Sequence, residues 1–185
     1  MISRCTSAEG NIYLIGYMAS GKTTFGRALA GALGRTFVDL DDYICRQTGM
    51  SVSEIFAKHG EARFRQLERE AIETIANAGD SRSVVACGGG TPCFGDNMAL
   101  LNSAGLTVWL DAPTATIMRR LREDRGGRPL VAKLDGGGEL EAYVADNLRK
   151  REPYYSRAHV RFDSSRLENE AEIAESVENF LKLLE

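Results

Sequence analysis

The chain has 185 residues, 43% hydrophobic and 26% charged, which excludes a disordered or fibrous chain and favours a single domain over residues 1–185. Lys and Arg total 23 against 26 Asp and Glu, and a net charge of −3 excludes a strongly basic nucleic-acid binder. No apolar run reaches the length of a membrane span, the polar start Met1–Gly10 lacks the apolar core of a signal peptide, and the cysteines at 5, 45, 87 and 93 lack zinc-site spacing, as expected of reduced thiols in a cytosolic protein.

Asn11–Ile15 is a short apolar strand that runs into Gly16. Thr23 to Leu33 has the period of a helix, with Phe25, Leu29 and Leu33 on one stripe, and Thr36–Asp39 is a second strand. Ser51-Val-Ser-Glu54 is a capping box that opens a helix ending at Gly60, and Glu61 to Ala78 repeats Phe64, Leu67, Ala71 and Ile75 at helical spacing. Ser83–Cys87, Leu106–Leu110 and Val160–Phe162 complete a set of five strands. Helices are expected near Asp96–Ala104, Thr114–Arg122 and Glu139–Arg151, with a last one carrying Ile173, Val177, Phe180 and Leu184. Regular alternation of strand and helix predicts an α/β layer fold with a mainly parallel sheet, whose ligands lie beyond the carboxyl ends of the strands. The glycine-rich, charged stretch 123–138 interrupts this alternation and predicts a lid loop.

The sharpest motif is Gly16-Tyr-Met-Ala19-Ser20-Gly21-Lys22-Thr23, a GxxxxGK[ST] loop between a strand and a helix, with Thr24 next to it. Its backbone N–H groups and the positive end of the following helix suit phosphate. Lys22 would reach the β- and γ-phosphates, and Thr23 would offer a hydroxyl to Mg²⁺. No acid ends the third strand, so a second metal ligand must come from Asp39 or Asp41, two apart and on one side if the backbone is extended. One would serve the metal and the other an acceptor hydroxyl; the simpler alternative is that Asp41 or Asp42 caps the next helix. There is no NKxD sequence for guanine, and a short chain with a lid-like loop and Arg-rich helix ends suggests a small-molecule kinase using ATP.

Several motifs occur together in order. They are Gly16–Thr24, Asp39-Leu-Asp41, Gly60-Glu-Ala-Arg-Phe64-Arg65-Gln-Leu-Glu68, Gly88-Gly89-Gly90, Arg128-Pro129-Leu130 and Arg151-Glu-Pro153-Tyr-Tyr155. In this combination the chain resembles the shikimate kinases. The resemblance implies a P-loop fold like that of nucleoside monophosphate kinases, with five parallel strands and a mobile lid. It also implies transfer of the ATP γ-phosphate to the 3-hydroxyl of shikimate.

That acceptor is a small carboxylate with three hydroxyls. Arg65 suits the carboxylate because its guanidinium fork matches it in two parallel bonds, and the resemblance places Arg151 on the same group. Glu68, three residues on, can hold Arg65; the alternative is a surface ion pair of little worth. Asp41 would accept from ring hydroxyls and by resemblance is the candidate base. Gly88, Gly89 and Gly90 let the backbone approach the ring. Arg128 reads as a lid residue over the transferring phosphate, the resemblance suggests Arg122 on adenine, and Ser164–Leu167 is expected near the same base. Arg119 and Arg120 read as complements of a helix dipole. Cys87, Cys93, Trp109, Tyr154 and Tyr155 read as packing residues, and His59 and His159 have no partner at ligand spacing. A monomer acting on shikimate, without nucleic acid or membrane, is the expectation. The competing readings are another P-loop kinase, such as one for gluconate, and a nucleotide-binding module without catalysis.

Overall fold

The computed structural model describes residues 10–78, 82–123 and 138–184. Five strands form one sheet in the order β2-β3-β1-β4-β5, every neighbouring pair parallel. They are β1 (Asn11–Ile15), β2 (Thr36–Asp39), β3 (Ser83–Ala86), β4 (Gly105–Asp111) and β5 (Val160–Asp163). The helices are α1 (Lys22–Leu33), α2 (Leu40–Thr48), α3 (Val52–Asn77), α4 (Asn97–Ala104), α5 (Thr114–Glu123), α6 (Glu139–Tyr155) and α7 (Glu170–Leu184), with a 3₁₀ turn at Thr91–Cys93.

β1 is buried along its whole length because helices cover both faces of the sheet, so it reads as a continuous apolar run. Alternate residues face opposite layers. Tyr13 and Ile15 pack with Val85, Trp109, Ile44, Phe64 and Tyr155 on one side. Ile12 and Leu14 pack with Val108, Phe25, Leu29 and Phe180 on the other. On that second side Phe25, Phe162 and Phe180 meet with ring centroids 5.2–5.6 Å apart. Buried Asn11 fastens the sheet to α3: its amide donates to the Ile75 carbonyl at 3.3 Å and accepts from the Ser83 N–H at 2.9 Å. Gly26 lets α1 sit close on the sheet, since a Cβ there would lie 2.6 Å from the Phe37 ring.

Two element expectations are revised. β2 passes directly into α2 at Leu40, a helix the sequence reading did not assign. The capping box at Ser51 forms as expected, and Gly60 breaks the helical run as expected: with φ 76 and ψ 174 it leaves helical geometry between the capped helix and the stretch beyond it, the two being counted together as α3. α6 continues past Arg151 through Pro153 to Tyr155. Pro153 lacks one helix N–H, yet the turn is closed by Ser156 N–H donating to the Glu152 carbonyl at 2.9 Å, and Tyr155 is fully buried. Among the described residues no helix is long and apolar enough to cross a membrane. Most of the expected lid, with Arg128-Pro129-Leu130, lies outside the described residues.

The strand order makes the site. From β1 the chain steps outward to β2, returns to β3, then crosses β1 to β4. The crevice at that change of direction opens above the carboxyl end of β1, where parallel sheets of this kind hold ligands.

Candidate active site

The loop after β1 is held by its own backbone. Ser20 N–H donates to the Tyr17 carbonyl at 3.2 Å and Phe25 N–H to the Gly21 carbonyl at 2.8 Å. Gly21 lies in the left-handed region at φ 95, and Ala19 shares it at φ 59. Gly16 has a closer constraint, because a Cβ there would lie 2.6 Å from the Leu110 carbonyl oxygen. α1 begins at Lys22 without a side-chain cap among the described residues, so its first N–H groups face the crevice as an anion site. Lys22 Nζ donates to the carbonyls of Gly16 at 2.9 Å and Tyr17 at 2.7 Å. Ser20 is buried in the loop, its hydroxyl accepting from Lys22 Nζ at 3.5 Å.

A cleft of about 1330 Å³ runs from this loop past β2 and β3. Ala19, Gly21, Lys22, Thr23, Thr24, Asp39, Asp41, Gly88 and Gly89 line it, together with Val52, Phe56, Arg120, Leu167 and Glu168. Thr23 Oγ1 donates to Asp39 Oδ2 at 3.2 Å, so the expected metal pair is adjacent. The spacing argument behind Asp39 and Asp41 is corrected. The backbone is not extended there: Asp39 ends β2 and caps α2, its Oδ1 accepting from the N–H groups of Asp41 at 3.2 Å and Asp42 at 3.4 Å. Asp41 is therefore in the first turn of a helix, and the two carboxyls face one cleft for that reason.

Asp41 Oδ1 is buried and has no hydrogen-bond partner among the described residues. Burial, then the neighbouring Glu68 and Asp39 carboxylates, push its pKa up to about 6, with Lys22 and Arg65 opposing. Such a carboxylate is poised to accept a proton near neutral pH. Burial also pushes the Cys87 thiol up, so it stays neutral and packs as expected.

The three glycines after β3 are the joint of the second half of the site. A Cβ on Gly88 would lie 3.0 Å from Glu68 Oε1 and 3.2 Å from Asp41 Oδ1. On Gly89 it would lie 3.1 Å from Arg151 Nη1, and on Gly90 2.8 Å from Arg65 Nη2. Asp41, Glu68, Arg65 and Arg151 thus gather around one bare stretch of backbone. Glu68 is fully buried, binds Arg65 Nη1 at 2.7 Å, and accepts a second, short bond from the Thr91 hydroxyl. The Arg65–Glu68 contact is consequently no surface pair. Arg65 also meets Glu61 at 2.9 Å and lies over the Phe94 ring at 5.0 Å, so its fork is held on several sides. Arg151 lies over the Tyr17 ring at 5.2 Å.

At the nucleotide end Arg120 and Arg122 of α5 are placed differently. Arg122 is exposed and does not line the cleft. The preceding Arg120 does: it donates to the carbonyls of Ala19 at 3.2 Å, Ser164 at 3.0 Å and Ser165 at 3.3 Å, and pairs with Glu168 at 2.8 Å. One turn of α5 spans four residues, so side chains two apart point to nearly opposite sides, and only one of the two arginines can face the cleft. Arg120, Thr91 and Tyr155 are the residues that sequence reasoning missed. Thr91 follows the glycine run, Tyr155 closes the motif that begins at Arg151, and Arg120 lies in none; the role of each depends on a partner distant in sequence.

A family model described as shikimate kinase matches residues 18–182. A shikimate kinase from Phocaeicola vulgatus is 42% identical over 94% of this chain and 97% of its own length. The crystal structure of shikimate kinase from Bacteroides thetaiotaomicron superposes with a TM-score of 0.85 at 40% identity, over 95% of this chain and 98% of that one. Shikimate kinase from Acinetobacter baumannii in complex with shikimate gives 0.79 at 33% identity, over 98% and 96% of the two chains. A gluconokinase from Sinorhizobium meliloti, 17% identical over 96% of this chain and 94% of that one with a TM-score of 0.58, shares the fold alone. With the phosphate loop, the paired arginines and the buried Asp41 carboxylate in place, these likenesses lead to one conclusion: the chain belongs to the shikimate kinase family.

Proposed function

We propose that the chain transfers the γ-phosphoryl group of ATP to the 3-hydroxyl of shikimate, giving shikimate 3-phosphate and ADP. The observation that carries this reading is the convergence of Asp41, Arg65 and Arg151 on the Gly88–Gly90 backbone, beside the phosphate loop. Two guanidiniums suit one carboxylate on a small ring, and the bare backbone gives that ring a floor. A buried carboxylate stands between ring and phosphate. An acyclic gluconate has no ring to set between Asp41 and the glycines.

In this reading the loop N–H groups, Lys22 and Thr24 hold the phosphates of ATP. Thr23 and Asp39 fit Mg²⁺, which favours oxygen ligands and keeps few protein ones beside substrate phosphates. Bound there, the ion would neutralise charge on the β- and γ-phosphates. Arg65 and Arg151 orient shikimate so that its 3-hydroxyl faces the γ-phosphorus. The oxygen–phosphorus bond to the acceptor forms as the bond to the bridging oxygen of ADP breaks, and the hydroxyl proton passes to Asp41. Positioning and charge stabilisation supply most of the acceleration, because the transferring group is loosely bonded in the transition state. Arg120 takes the place beside adenine that the sequence reading gave to Arg122. Arg128, outside the described residues, is assigned to the transferring phosphate by the resemblance alone. The enzyme works as a monomeric, single-domain cytoplasmic kinase of a small molecule, without nucleic acid or membrane, in keeping with its balanced charge.

A coupled ADP-release assay with shikimate, gluconate and nucleoside monophosphates tests the reading. Turnover with shikimate alone is expected. Strong gluconate turnover without shikimate turnover would overturn it.

A further inference from the structure

Tyr155 is the last residue of α6 and is fully buried. Its ring lies against Trp109, with centroids 5.9 Å apart. Packing accounts for the ring but not for the hydroxyl. That group donates to the Gly89 carbonyl at 2.5 Å, and the Arg151 guanidinium lies near enough to oppose the effect of burial on it. Burial pushes the phenol well above its ordinary range, so it remains a donor at any working pH. Arg151 in turn lies 3.1 Å from where a Gly89 Cβ would stand. One hydroxyl therefore joins the backbone floor of the acceptor pocket to one of its two guanidiniums. The Arg65 side of the pocket has its own fastening in Glu68 and Thr91.

We infer that Tyr155 is a positioning residue for the acceptor: its hydroxyl fixes the Gly89 carbonyl and the Arg151 guanidinium to each other, setting the spacing between the ring's floor and the carboxylate's fork. This rests on the proposed reading of the site as a shikimate pocket. Among the described residues the Tyr155 hydroxyl has its hydrogen bond to Gly89 and none to Lys22, Thr23 or Thr24, so its removal is expected to act on the acceptor before the nucleotide.

The test is steady-state kinetics on wild type, Tyr155→Phe, Arg151→Ala and the double variant, each with varied shikimate and varied ATP. Phe keeps the ring that packs on Trp109. Tyr155→Phe is expected to raise the shikimate KM about tenfold. The ATP KM should stay within about twofold and kcat within about threefold. In the Arg151→Ala background the same change should add less than about twofold, because its partner is gone. An unchanged shikimate KM in Tyr155→Phe, while Arg151→Ala raises it, overturns the inference and leaves the functional reading standing. Equal rises in both KM values, or full additivity with Arg151→Ala, also overturn it, since a loosened fold would act on both substrates. Absence of shikimate turnover in wild type overturns the functional reading and the inference with it. Should Tyr155→Phe not fold, Gly89→Ala decides: its new Cβ crowds Arg151 with the phenol intact, and an unchanged shikimate KM there counts against the inference.

Discussion

Asp41 carries the largest burden for its size. Its carboxyl is held between two other carboxylates in a partly dry cleft, with Oδ1 buried and unbonded among the described residues. The folded chain keeps this proton up to about pH 6, whereas the unfolded chain loses it near the ordinary aspartate value of 3.8. Between those values the folded state binds more protons, so stability falls as pH rises through the window. Asp41→Asn removes that penalty, which is on the order of 3 kcal/mol. Thermal melts should show the variant with the higher Tm above pH 6, and the advantage should vanish near pH 4. The same variant should lose about 10²–10⁴-fold in kcat while still binding ATP. In wild type, kcat/KM for shikimate should fall about tenfold per pH unit below about pH 6, as the acceptor of the proton fills. Near-normal turnover by Asp41→Asn would remove Asp41 from the chemistry. Glu68 is the structural counterpart, buried completely and bonded to Arg65 and Thr91. Cutting it to Ala leaves Arg65 short of its buried partner and should cost about 3–5 kcal/mol by urea denaturation. At this scale the sequence was legible wherever a motif names both residue type and spacing, as at Lys22, Thr23 and Arg65. Arg120, Thr91 and Tyr155 were not legible, because each acts through a backbone carbonyl or carboxylate that chain order does not reveal.

Among the elements, α1 shows how the sheet and the phosphate loop depend on one another. The helix must start at the loop and still press against β1 and β2, and Gly26 permits that approach. Gly31 lies in the same helix with open space around it. The two glycines should respond oppositely to Ala. Gly26→Ala forces its methyl into the Phe37 ring and should destabilise by about 1–3 kcal/mol. Gly31→Ala meets nothing, improves helix propensity, and should stabilise by about 0.5–1 kcal/mol. Paired thermal melts check both, with Tm moving about 2–4 °C per kcal/mol in a chain of this length. Strands were legible from their apolar runs because helices bury both faces. α2 was not, because β2 enters it without a loop and its capping residue, Asp39, also belongs to the cleft. The end of α6 was misread for a related reason. Pro153 is a sound stop signal locally, but the burial of Tyr155 and its bond to Gly89 outweigh one lost helix bond.

At the scale of the molecule, function follows from strand order. Placing β1 between β3 and β4 brings the phosphate loop after β1, Asp39 at the end of β2 and the glycines after β3 to one rim. Helices α3 and α6 then deliver Arg65 and Arg151 to those glycines from opposite ends of the chain. The alternation of strands and helices announced a parallel sheet, but not which strands would be neighbours, and so not the meeting of the two arginines. The central claim is that this rim holds a cyclic carboxylate with one hydroxyl aimed at the nucleotide's terminal phosphorus. The most direct measurement is ³¹P and ¹H NMR of the purified chain incubated with ATP, Mg²⁺ and shikimate. The account predicts ADP and a single new phosphate ester on the 3-hydroxyl, lost in Arg65→Ala at the same shikimate concentration. A phosphate on another hydroxyl, or intact ATP and shikimate after prolonged incubation, would contradict it.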